Sequence, residues 1–194
     1  MSIVKLINYT PNPQHTVALA ALICYSSKDL FNIKMSEKYE NKLLNKLIKN
    51  KHYSPFEHVS FTFYISQISR SCMCQLTRHR IASYSVRSQR YVNENNFNCL
   101  LNDNLKDMNS VNNLIKNMKS VYNELICQGV KNEDARSILP NCCATQLVAT
   151  YNARSLFNLF NLRISNNAQN EIRELCIKML NECKKVAPII FNKF

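Results

Sequence analysis

At 194 residues, with 46% hydrophobic and 20% charged side chains, the chain has the composition of a folded domain rather than a disordered tail, and that length buries roughly 70% of its unfolded surface without staples. Its longest apolar run, Val17 to Cys24, falls well short of the roughly 20 residues that cross a bilayer, and Met1-Ser2-Ile3-Val4-Lys5 does not open a secretory leader, so a cytoplasmic protein with no membrane partner is expected. The net charge of +12 favours anionic partners without choosing among them, and the single glycine, Gly129, excludes the glycine-rich dinucleotide loop and the P-loop.

In chain order, Ile3 to Asn8 reads as a short strand. Asn12-Pro13 predicts a helix start with a cap residue and a first-position proline, running to about Ser26. Ser36 is placed to cap a second helix striped by Tyr39, Leu43, Leu44, Leu47 and Ile48. Val59, Phe61, Phe63 and Ile65 alternate with polar residues, the period of a half-buried strand. Ser71 to about Arg80 predicts a helix, followed by an irregular serine-rich segment and an asparagine-rich stretch near Asn93 to Asn113. Met108, Val111, Ile115, Met118, Val121 and Leu125 mark a long helix. Thr145 to Tyr151 predicts a strand, Ala153 to Leu162 a helix, and Ile172, Leu175, Cys176, Met179, Leu180 and Cys183 the apolar face of a closing helix. With no repeat or composition break, residues 1–194 read as a single helix-rich domain of the α/β or α+β class.

The nine cysteines include the close pairs Cys72/Cys74 and Cys142/Cys143 but no C-x-x-C, so neither a zinc site nor a disulfide framework is expected. Reduced, mostly structural thiols are.

Charge is placed unevenly. No acidic residue occurs from His58 to Asn93, while Arg70, Arg78, Arg80, Arg87 and Arg90 all fall there. Guanidinium groups pair with phosphate oxygens through charge-assisted hydrogen bonds, and serine hydroxyls add short donors. Arg78-His79-Arg80, ending the expected helix, with Ser83, Ser88 and Arg90 after it, therefore suits an anion. A solvated basic surface accounts for the same composition.

Three further segments carry local chemistry. In His52-Tyr53-Ser54-Pro55-Phe56-Glu57-His58, Ser54 and Glu57 have capping-box spacing, and such a turn leaves backbone N–H groups for an anion. In Glu133-Asp134-Ala135-Arg136, helical spacing puts Glu133 and Arg136 on one face, which a surface ion pair also explains. In Asn152-Ala153-Arg154 through Asn158 to Arg163, Asn152 is a helix cap, and Arg154 and Asn158 stand one turn apart. An amphipathic helix with a polar edge is the plain alternative.

Arg78 to Arg90 matches R-H-R-x-x-S-x-x-x-x-S-x-R, and together these four segments resemble the flavin-dependent thymidylate synthase family, in its order, from His52 to Arg163. The resemblance implies a central mixed or antiparallel sheet flanked by helices. It implies conversion of dUMP to dTMP with N5,N10-methylenetetrahydrofolate as carbon donor and FAD, reduced by NADPH, as hydride source, without a cysteine nucleophile. Carried over by position, Gln75, Arg78, Ser88, Gln89, Arg90, Arg136 and Arg163 hold dUMP, and Arg163 activates the pyrimidine. His52, Ser54, Glu57, Arg78, His79, Arg80, Asn152, Arg154 and Asn158 surround FAD, with Val86 adjacent. No metal is implied, and the expected assembly is a homotetramer with sites shared between subunits. This chain departs from the family at Val86, where Glu or Gln is usual, and at Arg87, where an apolar residue is. The competing readings are a basic nucleic-acid-binding module and a family member impaired at Val86.

Overall fold

The computed structural model describes residues 2–27, 29 and 32–194. Strands β1 (Ile3–Tyr9), β2 (Ser60–Ser69), β3 (Ser83–Val86) and β4 (Ala144–Asn152) form one antiparallel sheet in the order β1-β2-β4-β3. Eight α-helices occur among the described residues, so the class is α/β and helix-rich. Packing divides the chain into two compact units. The first holds Ile65–Arg78 and Ser85–Leu147 with the chain start up to Ile3; the second holds Val4–Tyr64, His79–Tyr84 and Val148–Phe194. All four strands run from one unit into the other.

In the second unit, α1 (Pro13–Leu22), α2 (Glu37–Lys49), α7 (Ala153–Arg163) and α8 (Asn170–Val186) enclose the larger core. Helix α8 buries Ile172, Leu175, Cys176, Met179, Leu180 and Cys183, the whole expected face. Helix α7 buries Leu156, Phe157, Leu159 and Phe160 in an aromatic cluster. Phe157 lies 5.2 Å from Phe56 and 5.8 Å from Phe191, and Phe61 lies 5.4 Å from Phe191, ring centre to ring centre. Tilted and edge-on contacts at such distances add to the burial of each ring.

The first unit contains α3 (Arg70–Leu76), α4 (Asp103–Lys106), α5 (Asn109–Cys127) and α6 (Asn132–Ala135). Its core is built from Ile65, Ile68, Cys72, Leu76, Phe97, Tyr122 and Leu147. The apolar stripe expected for α5 is only partly used: Val111, Ile115, Met118 and Leu125 are half-buried, Met108 and Val121 are exposed, and the helix's one fully buried residue, Tyr122, lies outside the stripe. Cys99 pairs with Cys143 across an isolated antiparallel bridge. Burial raises the Cys99 thiol far above its usual range and pushes Cys143 up to about 12. All nine cysteines are free thiols.

Several local expectations change. Helix α1 ends at Leu22 rather than near Ser26, and Asn12 sits in the left-handed region (φ 47°) with its side chain capping nothing, leaving Pro13 as the start signal. Helix α3 stops at Leu76, where the Thr77 hydroxyl bonds back to the Met73 carbonyl at 3.1 Å. Arg78, His79 and Arg80 therefore follow the helix instead of closing it, and part of the supposedly irregular serine segment is strand β3. In β2 the alternation breaks at Gln67, whose φ of 56° leaves Ile65 and Ser66 buried in succession.

Two helices end with the same wrap of amides onto earlier carbonyls. After α5, Gly129 (φ 83°) donates to Ile126 O and Val130 to Leu125 O, both at 3.0 Å. After α2, Lys51 (φ 58°) donates to Ile48 O at 3.1 Å and His52 to Leu47 O at 2.9 Å. The second turn carries a Cβ where the left-handed conformation disfavours one. Lys51→Gly should therefore raise the unfolding free energy by about 0.5–1 kcal/mol after allowing for glycine's unfolded-state entropy, read as a higher urea midpoint at unchanged slope.

Candidate active site

The residues singled out above fall into two groups. Gln75, Arg78, Val86, Ser88, Gln89, Arg90 and Arg136 belong to the first unit; His52, Ser54, Glu57, His79, Arg80, Asn152, Arg154, Asn158 and Arg163 belong to the second. Apart from Arg163, every residue tied to dUMP lies in the first. Apart from Arg78 and Val86, every residue tied to FAD lies in the second.

In the first unit the S-x-R and E-x-x-R segments meet. Arg90 places Nε and Nη2 each 3.0 Å from Glu133 Oε2. Arg136 does not pair with that carboxylate; its Nε donates to the Glu133 carbonyl at 3.2 Å. Helical spacing had suggested a Glu133–Arg136 ion pair, but α6 ends at Ala135 and turns into a 3₁₀ segment at Arg136. One residue thus anchors two guanidinium groups, by side chain and by backbone. Ser88 Oγ accepts the Arg90 N–H at 3.2 Å, and Gln89 is buried. Arg87 uses Nη2 to reach both oxygens of the buried Glu94, at 2.6 and 2.5 Å. Two arginines of the acid-free stretch are therefore neutralised by acids outside it, whereas no carboxylate among the described residues pairs with Arg78 or Arg80.

In the second unit, β4 passes directly into α7 at Asn152. The Asn152 Oδ1 accepts the Ser155 N–H at 2.8 Å, and the Ala153 N–H donates to Val59 O at 3.0 Å. This cap sets the rotation of α7, burying Ser155 and Leu156 and leaving Arg154 and Asn158 exposed. Arg154 pairs with Glu57. The Ser54–Glu57 capping box is absent: Ser54–His58 is a 3₁₀ turn headed by Tyr53, and the Glu57 carboxylate goes to Arg154 instead.

At the far end of α7, Arg163 Nε donates to His79 Nε2 at 3.0 Å. The contact requires a neutral ring with its proton on Nδ1. Burial, and then the Arg163 charge, hold His79 below its ordinary 6.5, in agreement with that state. The Tyr84 hydroxyl donates to the His79 carbonyl at 2.8 Å, and the Tyr151 hydroxyl donates to Tyr84 at 3.1 Å. Burial raises both phenols, so they remain uncharged donors. Cys176, whose thiol feels the Arg163 charge, is nevertheless pushed up to about 12 by burial.

Motif reasoning passed over three of these residues. Tyr84 and Tyr151 orient His79, and Glu94 occupies Arg87. The signal for Tyr84 lay in period-two spacing with Val86, hidden while the segment read as irregular. Glu94 is the first acid after the acid-free run.

The scaffold is α/β and presents cationic side chains from two motif clusters without a glycine-rich loop. The family model described as thymidylate synthase complementing protein matches residues 5–189. A flavin-dependent thymidylate synthase from Clostridium tetani is 42% identical, over 97% of this chain and 85% of the relative. Enzymes of the same name from Geobacter sulfurreducens and Pyrococcus furiosus are each 40% identical, over 97% and 96% of this chain and 85% and 82% of theirs. The chain belongs to the thymidylate synthase complementing protein family.

The state of His79 sets a pH dependence. The unfolded chain protonates this ring as pH falls through about 6.5, while the folded protein resists until its lower folded value, so stability drops with acid across that window. His79→Gln keeps an acceptor for Arg163 and carries no titration. Its urea midpoint should fall less than that of the wild type between about pH 7 and pH 5.

Proposed function

We propose that the chain is a flavin-dependent thymidylate synthase converting dUMP to dTMP, with N5,N10-methylenetetrahydrofolate as carbon donor and FAD, reduced by NADPH, as cofactor. The observation that carries this reading is the 3.0 Å bond from Arg163 to His79, which joins the Asn152–Arg163 helix to the Arg78-His79-Arg80 segment. Neither a basic surface nor an amphipathic helix requires that meeting.

The donor set suits the ligands. Ser88, Gln89, Arg90 and Arg136, with Gln75 and Arg78, would hold the phosphate and sugar of dUMP, where two guanidiniums already anchored on Glu133 need little further ordering. Arg80, with no carboxylate partner among the described residues, supplies a cation for a dinucleotide pyrophosphate. His52, Ser54, Asn158, His79 and the Glu57–Arg154 pair would line the rest, with Asn152 holding their helix. When bound, FAD supplies the hydride.

Arg163 stabilises the negative charge that gathers on a pyrimidine attacking an electrophilic carbon. His79, neutral and accepting from Nε, fixes the plane of that guanidinium. The phenols of Tyr84 and Tyr151 hold His79 through its carbonyl. A route without a cysteine nucleophile agrees with Cys176, since a thiol titrating near about 12 has almost no thiolate at neutral pH. The exposed apolar residues of α5 and of the edge strand β1, Ile3 and Ile7 among them, support a homotetramer with shared sites. A nucleic-acid-binding module accounts less well for the structure, because it gives no reason for Arg163 of α7 to meet His79.

Purified protein supplied with dUMP, methylenetetrahydrofolate and NADPH should form dTMP. Arg163→Ala should stay folded and yellow while dTMP formation falls on the order of 10²–10³-fold; near-normal turnover would remove Arg163 from its role. Val86→Glu should tighten FAD or dUMP binding if the valine impairs the site, and unchanged affinities for both would make the position neutral.

A further inference from the structure

Arg87 and Glu94 belong to none of the fixed motif positions, yet they bracket the Ser88-Gln89-Arg90 segment. The bracket is tied down at both ends. The Arg87 N–H donates to the Gln146 carbonyl on β4 at 3.0 Å, and the Glu94 N–H donates to the hydroxyl of Tyr122 on α5 at 3.2 Å. Tyr122 is fully buried, and the Glu94 side chain is 5% exposed. Within the bracket, the Val92 N–H donates to Ser88 O at 3.0 Å. The Arg87–Glu94 ion pair closes this loop across its base. A buried carboxylate without a partner is strongly disfavoured, so removing Arg87 drives Glu94 toward water or toward protonation, and either response moves the loop.

We propose that Arg87 and Glu94 are a positioning pair, a clamp that sets the conformation of Ser88–Arg90 and thereby the affinity for the phosphate of dUMP. The proposal rests on the reading that this segment holds dUMP. The clamp acts on binding and leaves pyrimidine activation to Arg163, so its loss separates KM from kcat. FAD retention stays unchanged, because most of the residues assigned to FAD belong to the other unit. The clamp also explains why this chain tolerates Arg87 where its family usually has an apolar residue: the acid that neutralises it is close in sequence and already buried.

The test uses intact, flavin-loaded protein and dUMP itself. Glu94→Gln should raise the dUMP Kd, measured by calorimetry, and the dUMP KM about tenfold, with kcat at saturating dUMP and bound flavin within about twofold of wild type. Arg87→Lys, which keeps the charge opposite Glu94, should hold the Kd within about threefold of wild type. A folded Glu94→Gln protein with a lower Tm but a dUMP Kd within about twofold of wild type would show a purely structural pair and overturn the clamp. If Glu94→Gln does not fold, Tyr122→Phe replaces it, removing one hydroxyl and no charge. Its Kd should rise about threefold, and an unchanged value overturns the clamp. Wild-type protein that fails to bind dUMP overturns the functional reading and the clamp together, an outcome distinct from wild type and variants binding alike.

Discussion

Strand β4 becomes helix α7 without a loop, and Asn152 makes that possible by accepting the Ser155 amide while the Ala153 amide is taken by Val59. No flexible residue intervenes, so the rotation of α7 about its axis is inherited from the sheet. One side is then committed to the aromatic cluster of Phe56, Phe157 and Phe191. Arg154 and Asn158, four positions apart, share an exposed edge, whereas Arg163, at the last turn, lies roughly half a revolution away from Arg154 and meets His79. A different register at Asn152 would bury cations and expose phenylalanines, an exchange costing many times the worth of the cap alone.

With one glycine in the chain, backbone amides cannot crowd around a phosphate as a glycine-rich loop allows. On the proposed reading guanidinium groups take over, and long cationic side chains lose rotamer entropy when they are fixed. The structure meets that cost in advance. Glu133 holds Arg90 and Arg136, Glu57 holds Arg154, and the His79 ring holds Arg163. The +12 charge is therefore less of an undirected surface field than its size suggests.

Periodicity carried most of the fold. The face of α8 is buried residue for residue, because six apolar positions at helical spacing leave no rival arrangement. The ends of elements were harder to read. Helix α3 stops at Leu76 through a threonine back-bond, and β3 forms from Ser83-Tyr84-Ser85-Val86, whose small polar residues hide an edge strand. At the candidate site, residue types singled out the cationic groups but not their internal partners. Glu133 binds Arg90, distant in sequence, rather than Arg136 three positions on, because the helix ends between them. Such pairings depend on chain reversals that spacing rules do not describe. The capping box failed for a related reason, since Glu57 is drawn to a cation on a helix far along the chain.

The sulfur chemistry of the molecule is divided by the same packing. Cys99 and Cys143, whose thiols burial holds protonated, are slow partners for alkylating reagents and for disulfide exchange. Cys24, Cys74 and Cys127 are exposed. Iodoacetamide or a maleimide dye should therefore label these three first, offering attachment points for a spectroscopic reporter that leave Cys99 and Cys143 untouched.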